Sequence, residues 1–384
     1  MKFSIRDLLW LSSVLALSHV VSAEEPLKLD TVSAPPTLAA DEPLAAAFSL
    51  DLAARSLDTT ALSWQKERKC AACHTLPPYL MARPFLAAVS PEPPEVRQFF
   101  ERIVDEKLEA EPALPKDGVT TVVIQTAAAL AFHDRATTGK LHPLTRQQLD
   151  RMWTLQRGDG GWEWPFRDTP PIKSDEHYGV VIAALAASAA PENYFTTEQA
   201  RNGLTGIRKF LAAHPPRSLH QKAMLLWGAS QMEDFISAAD KAQSVKDLVA
   251  AQRPDGGWSL ANLTENPSDP DRQTEDGQQA RSAAGHGQDF LVYVGREKVY
   301  KSSLASDGYA TGFSIYVLRQ AGLPADDPRI RRGVTWLKEH QRASGRWFTP
   351  SQSWHTQHYI SNAGSAYAIL ALHACGEIPI PPKP

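Results

Sequence analysis

Gln156-Arg157-Gly158-Asp159-Gly160-Gly161-Trp162 returns as Gln252-Arg253-Pro254-Asp255-Gly256-Gly257-Trp258, and again as Gln341-Arg342-Ala343-Ser344-Gly345-Arg346-Trp347. Three matches to Gln-x-x-x-Gly-x-Trp in one chain mark a repeat architecture, and a repeat constrains the fold more than any local propensity does. Each copy follows a stretch whose apolar residues share one helical face, at 149–155, 245–251 and 334–340. Each precedes a second apolar stretch, rich in small residues, that contains Gly179, Gly312 or Gly364. Trp162 to Gly179 spans 17 residues and Trp347 to Gly364 also 17, but Trp258 to Gly312 spans 54, which places an insertion of about 37 residues around 259–306. The repeating unit is therefore a helical hairpin, and hairpins of one kind stack to bury their apolar faces.

The turn has a local logic. Glycines supply the positive-φ positions that end a helix, a glutamine side chain can bond the turn's backbone, and a tryptophan packs over both. Such turns are expected to hold the outer ends of neighbouring hairpins together.

These repeats resemble the QW motifs of the squalene–hopene cyclase and protein prenyltransferase superfamily, over residues 62–376. The resemblance implies an all-α chain folded as an α/α toroid, with inner and outer rings of helices. Carried over residue by residue, 180–190, 313–320 and 365–374 would be inner helices, with 119–132 as the inner helix of a less regular early unit. The starts of those helices, at Asp175-Glu176-His177-Tyr178, Asp307-Gly308-Tyr309 and Ser361-Asn362, would rim a central cavity. The chain departs from both enzymatic precedents. It has no Asp-x-Asp-Asp proton donor of the cyclase kind; Asp269-Pro270-Asp271 and Asp326-Asp327 are the nearest strings. Of a prenyltransferase zinc set, Asp307 stands near the first position, but no cysteine follows within two residues and Ala363-Gly364-Ser365 stands near the place of the histidine. The resemblance thus implies a non-cyclase branch.

Cys70-Ala71-Ala72-Cys73-His74 is the second strong signal. Cys-x-x-Cys-His is the spacing at which two thiols attach a c-type haem and the histidine ligates its iron. With 3 cysteines and 12 histidines in 384 residues, the run arises by chance in roughly one sequence in a thousand. It follows Trp64-Gln65, which begins like the helix end before a QW turn and then departs from it. On the haem reading Cys70 and Cys73 form thioethers, His74 is the proximal ligand, and Arg68, Lys69 or Arg83 pair with propionates. Met81 is the sequence-local distal candidate; Met152, His177 and His358 are alternatives, as is an open site. A short-loop disulfide or redox pair of Cys70 and Cys73, or a zinc site including His74, stays open. Cys375, after an apolar helical stretch, reads as a small buried apolar residue.

The ends bear on compartment. Lys2 and Arg6 precede an apolar stretch at 8–21, and Val21-Ser22-Ala23 offers small residues for cleavage, so 1–23 is expected to be a signal peptide for an exported, periplasmic or secreted protein. The apolar run is shorter than the about 20 residues a membrane span needs, and no second run of that length follows. Residues 24–61 are expected to be a flexible leader, and the proline-rich 377–384 a tail. A formal charge of −3 gives no support for a nucleic-acid partner.

Other residues with catalytic potential are Asp175, Glu176 and His177, as an acid–base group at a cavity mouth, and Asp307. First-turn acids are also ordinary helix-capping choices. His355 and His358 could pair as metal ligands or lie in a solvated loop, and Gly285-His286-Gly287 in the insertion could be a lid or a plain surface loop. Two function classes follow. One is an exported toroid with covalent haem c, in electron transfer or haem-based ligand binding, with an unidentified redox partner. The other is a toroid enzyme or scaffold for an isoprenoid or other small apolar ligand.

Overall fold

The computed structural model describes residues 27–71, 74–106, 116–164, 171–172, 176–264, 305–352 and 357–379. The expected signal peptide, Cys73, Asp175, His355, Gly285-His286-Gly287 and residues 380–384 lie outside the described residues. Among the described residues the chain is helical, with one isolated antiparallel bridge between Leu44 and Arg342.

The helices alternate between two rings. The outer ring holds α1 (Leu50–Arg68), α3 (Glu95–Asp105), α5 (Pro143–Thr154), α7 (Glu198–Ala213), α9 (Ala238–Ala250) and α12 (Pro328–Glu339). The inner ring holds α2 (Leu76–Ala82), α4 (Lys116–Ala136), α6 (Glu176–Ala189), α8 (Leu219–Gln231), α11 (Gly308–Gln320) and α13 (Ile360–Ala374), and a short α10 (Leu260–Thr264) precedes α11. Inner helices touch in the order α2, α4, α6, α8, α11, α13 and back to α2, so the circuit closes. The fold is an α/α toroid of six hairpins among the described residues.

Sequence explains the two rings. Outer helices bury one stripe: in α3 only Val96, Phe99, Phe100, Ile103 and Val104 are buried. In α6, by contrast, nearly every residue is buried, including Ala183, Ala184, Ala186 and Ala187. Small side chains let the inner helices approach closely. A Cβ on Gly312 would strike the backbone of Tyr367 and Ala368, and one on Gly364 would meet the backbone of Tyr309, so α11 and α13 pack main chain against main chain. Polar caps set the starts: Ser49, Thr197, Ser218, Ser237, Asp307 and Asp327 each accept a first-turn N–H.

The three QW turns do the same work at three joints. In each, the glycine is left-handed, at φ 93° for Gly160, 94° for Gly256 and 87° for Gly345. Each tryptophan Nε1 donates to a carbonyl ten residues upstream: Met152, Leu248 and Leu337, at 2.9, 2.8 and 2.7 Å. Each glutamine Nε2 donates both to its own turn glycine and to the next outer helix, reaching Gly203 O, Arg329 O and Ser49 O at 2.9, 2.7 and 2.9 Å. The third grip is the ring closure, since Ser49 caps α1.

One expectation changes. The leader does not stay loose to residue 61: α1 begins at Leu50, Val32 is buried, and the arm before α1 is strapped to the last turn. Ala45 N donates to Gln341 O and Ala343 N to Pro43 O, both at 2.8 Å, and Arg346 Nη2 reaches Pro36 O at 2.8 Å. The inner helices α6, α11 and α13 begin at Glu176, Gly308 and Ile360, at or within a residue of the starts read from the sequence, and the hairpins α3–α4 and α7–α8 carry no QW turn.

Candidate functional site at the ring seam

The end of α1 and the start of α2 carry the cysteine–histidine run. Gln65 and Lys69 keep the four-residue spacing of the QW turns, and Lys69 takes the left-handed position, φ 50°. The helix, however, continues through Gln65 to Arg68, and no tryptophan follows. Gln65 Oε1 is consequently buried with no hydrogen-bond partner among the described residues. The chain emerges with Cys70 exposed as a free thiol, and His74 half-buried just before α2.

His74 is held on several sides. Its ring lies edge-on to Trp64 of α1 at 5.1 Å between centroids, and parallel to Tyr359 before α13 at 5.5 Å with 5° between planes. Trp64 and Tyr359 also meet edge to face at 5.1 Å. His74 Nδ1 is 3.0 Å from Thr75 Oγ1, and that oxygen accepts from Asn362 Nδ2 of α13 at 3.0 Å. Arg68 stacks over Trp64 at 5.6 Å and donates to the Tyr359 hydroxyl at 3.3 Å. The Trp64 indole N–H is buried with no acceptor among the described residues. Cys70, His74, Trp64 and Arg68 are the described residues that could hold a cofactor here: a thiol, an oriented imidazole, a buried donor and a cation.

Other expected participants are held by contacts of their own. Arg83 is fully buried and committed to Asp58, with Nε and Nη2 at 2.7 and 3.0 Å from the two carboxylate oxygens and further bonds to Ser90 and Pro91, so it is not a propionate partner. Met81 is buried near the end of α2; five residues of helical rise carry it about 7.5 Å along the axis from Leu76, away from His74. Met152 lies buried in α5, two hairpins round the ring. His358 Nδ1 accepts the Ser351 N–H at 2.8 Å, and burial pushes its pKa down. Cys375 is half-buried rather than buried and lies beside Arg319, and desolvation pushes its thiol up to about 11.

The acid–base candidates divide differently. Glu176 accepts the Trp162 N–H at 2.8 Å and pairs with Arg157 at 2.7 Å, so it braces the first QW turn; burial raises its pKa against the pull of Arg157. Asp307 caps α11, accepting from Ala310 N at 2.9 Å, Leu260 N at 2.5 Å and Thr349 Oγ1 at 3.2 Å, and burial pushes its carboxyl up to about 7. His177 is buried at the start of α6. Beside it, sequence reasoning missed a cluster. His220 Nε2 is 3.1 Å from the Tyr309 hydroxyl and stacks on Phe313 at 4.8 Å, while Tyr367 meets Tyr309 and Phe313 edge to face at 5.1 and 5.3 Å. Burial, with His177 nearby, pushes His220 down to about 3. The available signal was the spacing of Tyr309, Phe313 and Tyr316 at four and seven residues, which sets all three on one helical face. Among the described residues no helix is long and apolar enough to cross a membrane, and no group of three or more histidine, cysteine or acidic residues could hold a metal ion.

No protein-family model matches the chain, and no curated protein matches it. Among solved structures it is similar to a glycosyl hydrolase family 88 protein from Bacteroides vulgatus, at 12% sequence identity and a TM-score of 0.31, over 86% of this chain and 91% of that one.

Proposed function

We propose that this chain is an exported α/α toroid that carries one covalent c-type haem at the seam, for electron transfer or ligand binding at the iron. The observation that carries the reading is the combination of the Cys-x-x-Cys-His run with an imidazole already clamped between Trp64 and Tyr359. Cys70 and Cys73 would form the thioethers and His74 would be the proximal ligand. When bound, haem supplies a one-electron couple or an axial position for a small ligand.

The surrounding residues suit that group. A ligating histidine must donate its second ring N–H to a fixed acceptor, which sets tautomer and ring orientation. Thr75 Oγ1 is such an acceptor for Nδ1, and Asn362 holds it in place from the far side of the seam. Two donors stand beside the imidazole, the buried Trp64 indole N–H and the Arg68 guanidinium, and haem brings two carboxylates. The aromatic rings exclude water from the histidine face, which raises the strength of each polar contact there.

The test is expression of the full chain with a haem-c maturation system. Intact mass and an optical spectrum should give a haem-sized increment with α and Soret bands, both lost in Cys70→Ala/Cys73→Ala. A colourless protein at apoprotein mass overturns the reading.

One observation favours a second reading, a toroid that takes an isoprenoid or other lipid. Tyr178, Tyr309, Phe313 and Tyr367 of the inner helices cluster near Asp307, and their aromatic faces suit an apolar ligand. Lipids co-purifying with the full chain, and lost in Phe313→Ala, would support it; a lipid-free preparation would count against it.

A further inference from the structure

Where the first hairpin meets the last, α1, α2 and α13 border a small, partly open crevice beside Thr75. Its polar lining is Ser56 and Thr60 of α1, Thr75, Tyr79 of α2, Arg346, and Asn362 and Ser365 of α13, with Leu57 and Ala61 between them. None of these is acidic.

The arginine is the first unusual feature. The corresponding position of the other two QW turns is glycine, Gly161 and Gly257, so only the turn that closes the ring places a cation there. Arg346 is 3% exposed. Its Nη2 donates to Pro36 O at 2.8 Å and its Nε to Ser344 Oγ at 3.1 Å, while the Glu42 carboxylate stands off at 3.7 Å, beyond hydrogen-bond distance. A guanidinium buried this far is only partly compensated by one ion pair that lacks a hydrogen bond. Burial accordingly lowers its pKa in spite of Glu42, although it stays charged at neutral pH.

The second feature is a hydroxyl. Thr60 is 8% exposed and its Oγ1 is buried with no hydrogen-bond partner among the described residues. Buried hydroxyls of folded proteins are satisfied as a rule, so an orphan on a residue that lines a crevice marks a place for something else. Asp58, the acid that lies between Ser56 and Thr60 in α1, does not oppose an anion, because Arg83 binds both of its oxygens and Tyr79 donates to it at 2.8 Å.

We propose that this crevice binds a small monoanion, of the size of chloride, nitrite or formate, between the Arg346 guanidinium and the Thr60 hydroxyl. The site stands independently of the haem reading. The two adjoin through Thr75, whose hydroxyl lines the crevice and contacts His74.

The experiment uses the full chain in an anion-poor zwitterionic buffer, titrated with sodium chloride, nitrite or formate against sodium gluconate at equal ionic strength. Calorimetry should show saturable one-to-one binding of the small anions and none of gluconate, with a matching rise in melting temperature. Thr60→Val, nearly isosteric, should weaken binding at least tenfold while melting no lower in anion-poor buffer; Thr60→Ser should retain binding. Arg346→Gln should abolish it, and if that variant fails to fold, the Val and Ser pair decides. An equal response to gluconate, unchanged affinity in Thr60→Val, or no saturable response in the wild-type chain overturns the proposal, the last meaning that solvent alone satisfies Thr60.

Discussion

His74 and Tyr359, 285 residues apart in the chain, stack in parallel with ring centroids 5.5 Å apart. One belongs to the first hairpin and the other to the last, so the contact exists only when the ring is closed. The candidate cofactor site and the seam of the toroid are the same place.

Tyr359→Ala should therefore act on both. Loss of the ring and its edge-to-face contact with Trp64 is expected to cost about 1–3 kcal/mol, read by urea denaturation. Tyr359→Phe, which keeps the ring and drops the hydroxyl that accepts from Arg68, should stay within about 0.5 kcal/mol of wild type. On haem-loaded protein, only the alanine variant should shift the midpoint potential. Equal effects of the two variants would refute a role for the stack.

Ring closure can be tested at a single glycine. Gly345 is left-handed at φ 87°, and a Cβ there would strike the backbone of Leu52 in α1. Gly139 is left-handed at φ 64° and faces open space. Gly139→Ala should cost about 1 kcal/mol, the backbone penalty alone, and Gly345→Ala about 3 kcal/mol or more. Similar melting temperatures for the two would show that the turn does not clamp α1.

How much of this was legible in the sequence differs by feature. The turn geometry was legible because its partners are close along the chain: the tryptophan bonds a carbonyl ten residues back and the glutamine its own turn glycine. The identity of the outer helix that each glutamine grips was not, because the acceptor lies 47, 77 or 292 residues away. Hairpin α7–α8 escaped notice, and of α3–α4 only the inner helix was legible, because stacking between regular neighbours can hold a hairpin without a QW turn. At the candidate site, Cys70 and His74 were legible from spacing, whereas Trp64, Tyr359 and Asn362 became partners only through closure.

A pH dependence follows from His220. Its folded pKa of about 3 lies below the usual 6.5, so the folded state holds it neutral. The unfolded chain binds the extra proton between those values, so the contribution is fully present above pH 6.5 and is lost as pH falls toward 3, to a limit of about 5 kcal/mol. His220→Gln should cost about 1–2 kcal/mol at pH 7.5, through lost stacking and the Tyr309 contact, yet narrow the gap in unfolding free energy between pH 7.5 and pH 4.5. An unchanged gap would assign the acid sensitivity elsewhere.

The Asp58–Arg83 pair should be asymmetric under mutation. Asp58→Asn leaves a fully buried guanidinium with its charge unbalanced, and is expected to cost about 3–5 kcal/mol. The double change Asp58→Leu/Arg83→Met should cost less than the single one. A double variant that is worse than either parent would contradict the desolvation account.

The sequence by itself determined the hairpin and its turn, since these rest on helix periodicity and on hydrogen bonds that local spacing satisfies; the closed ring was implied only by the resemblance of its repeats to QW motifs. It also determined which atoms could attach a cofactor, through the Cys-x-x-Cys-His spacing. Tertiary structure decided the number of hairpins, the strapping of the arm before α1 onto the last turn, the burial of Arg346 beside Thr60, and the clamp on His74. The reason is physical: the apolar faces and orphan polar groups of the first and last hairpins have no local partners, and only closure of the ring brings them together.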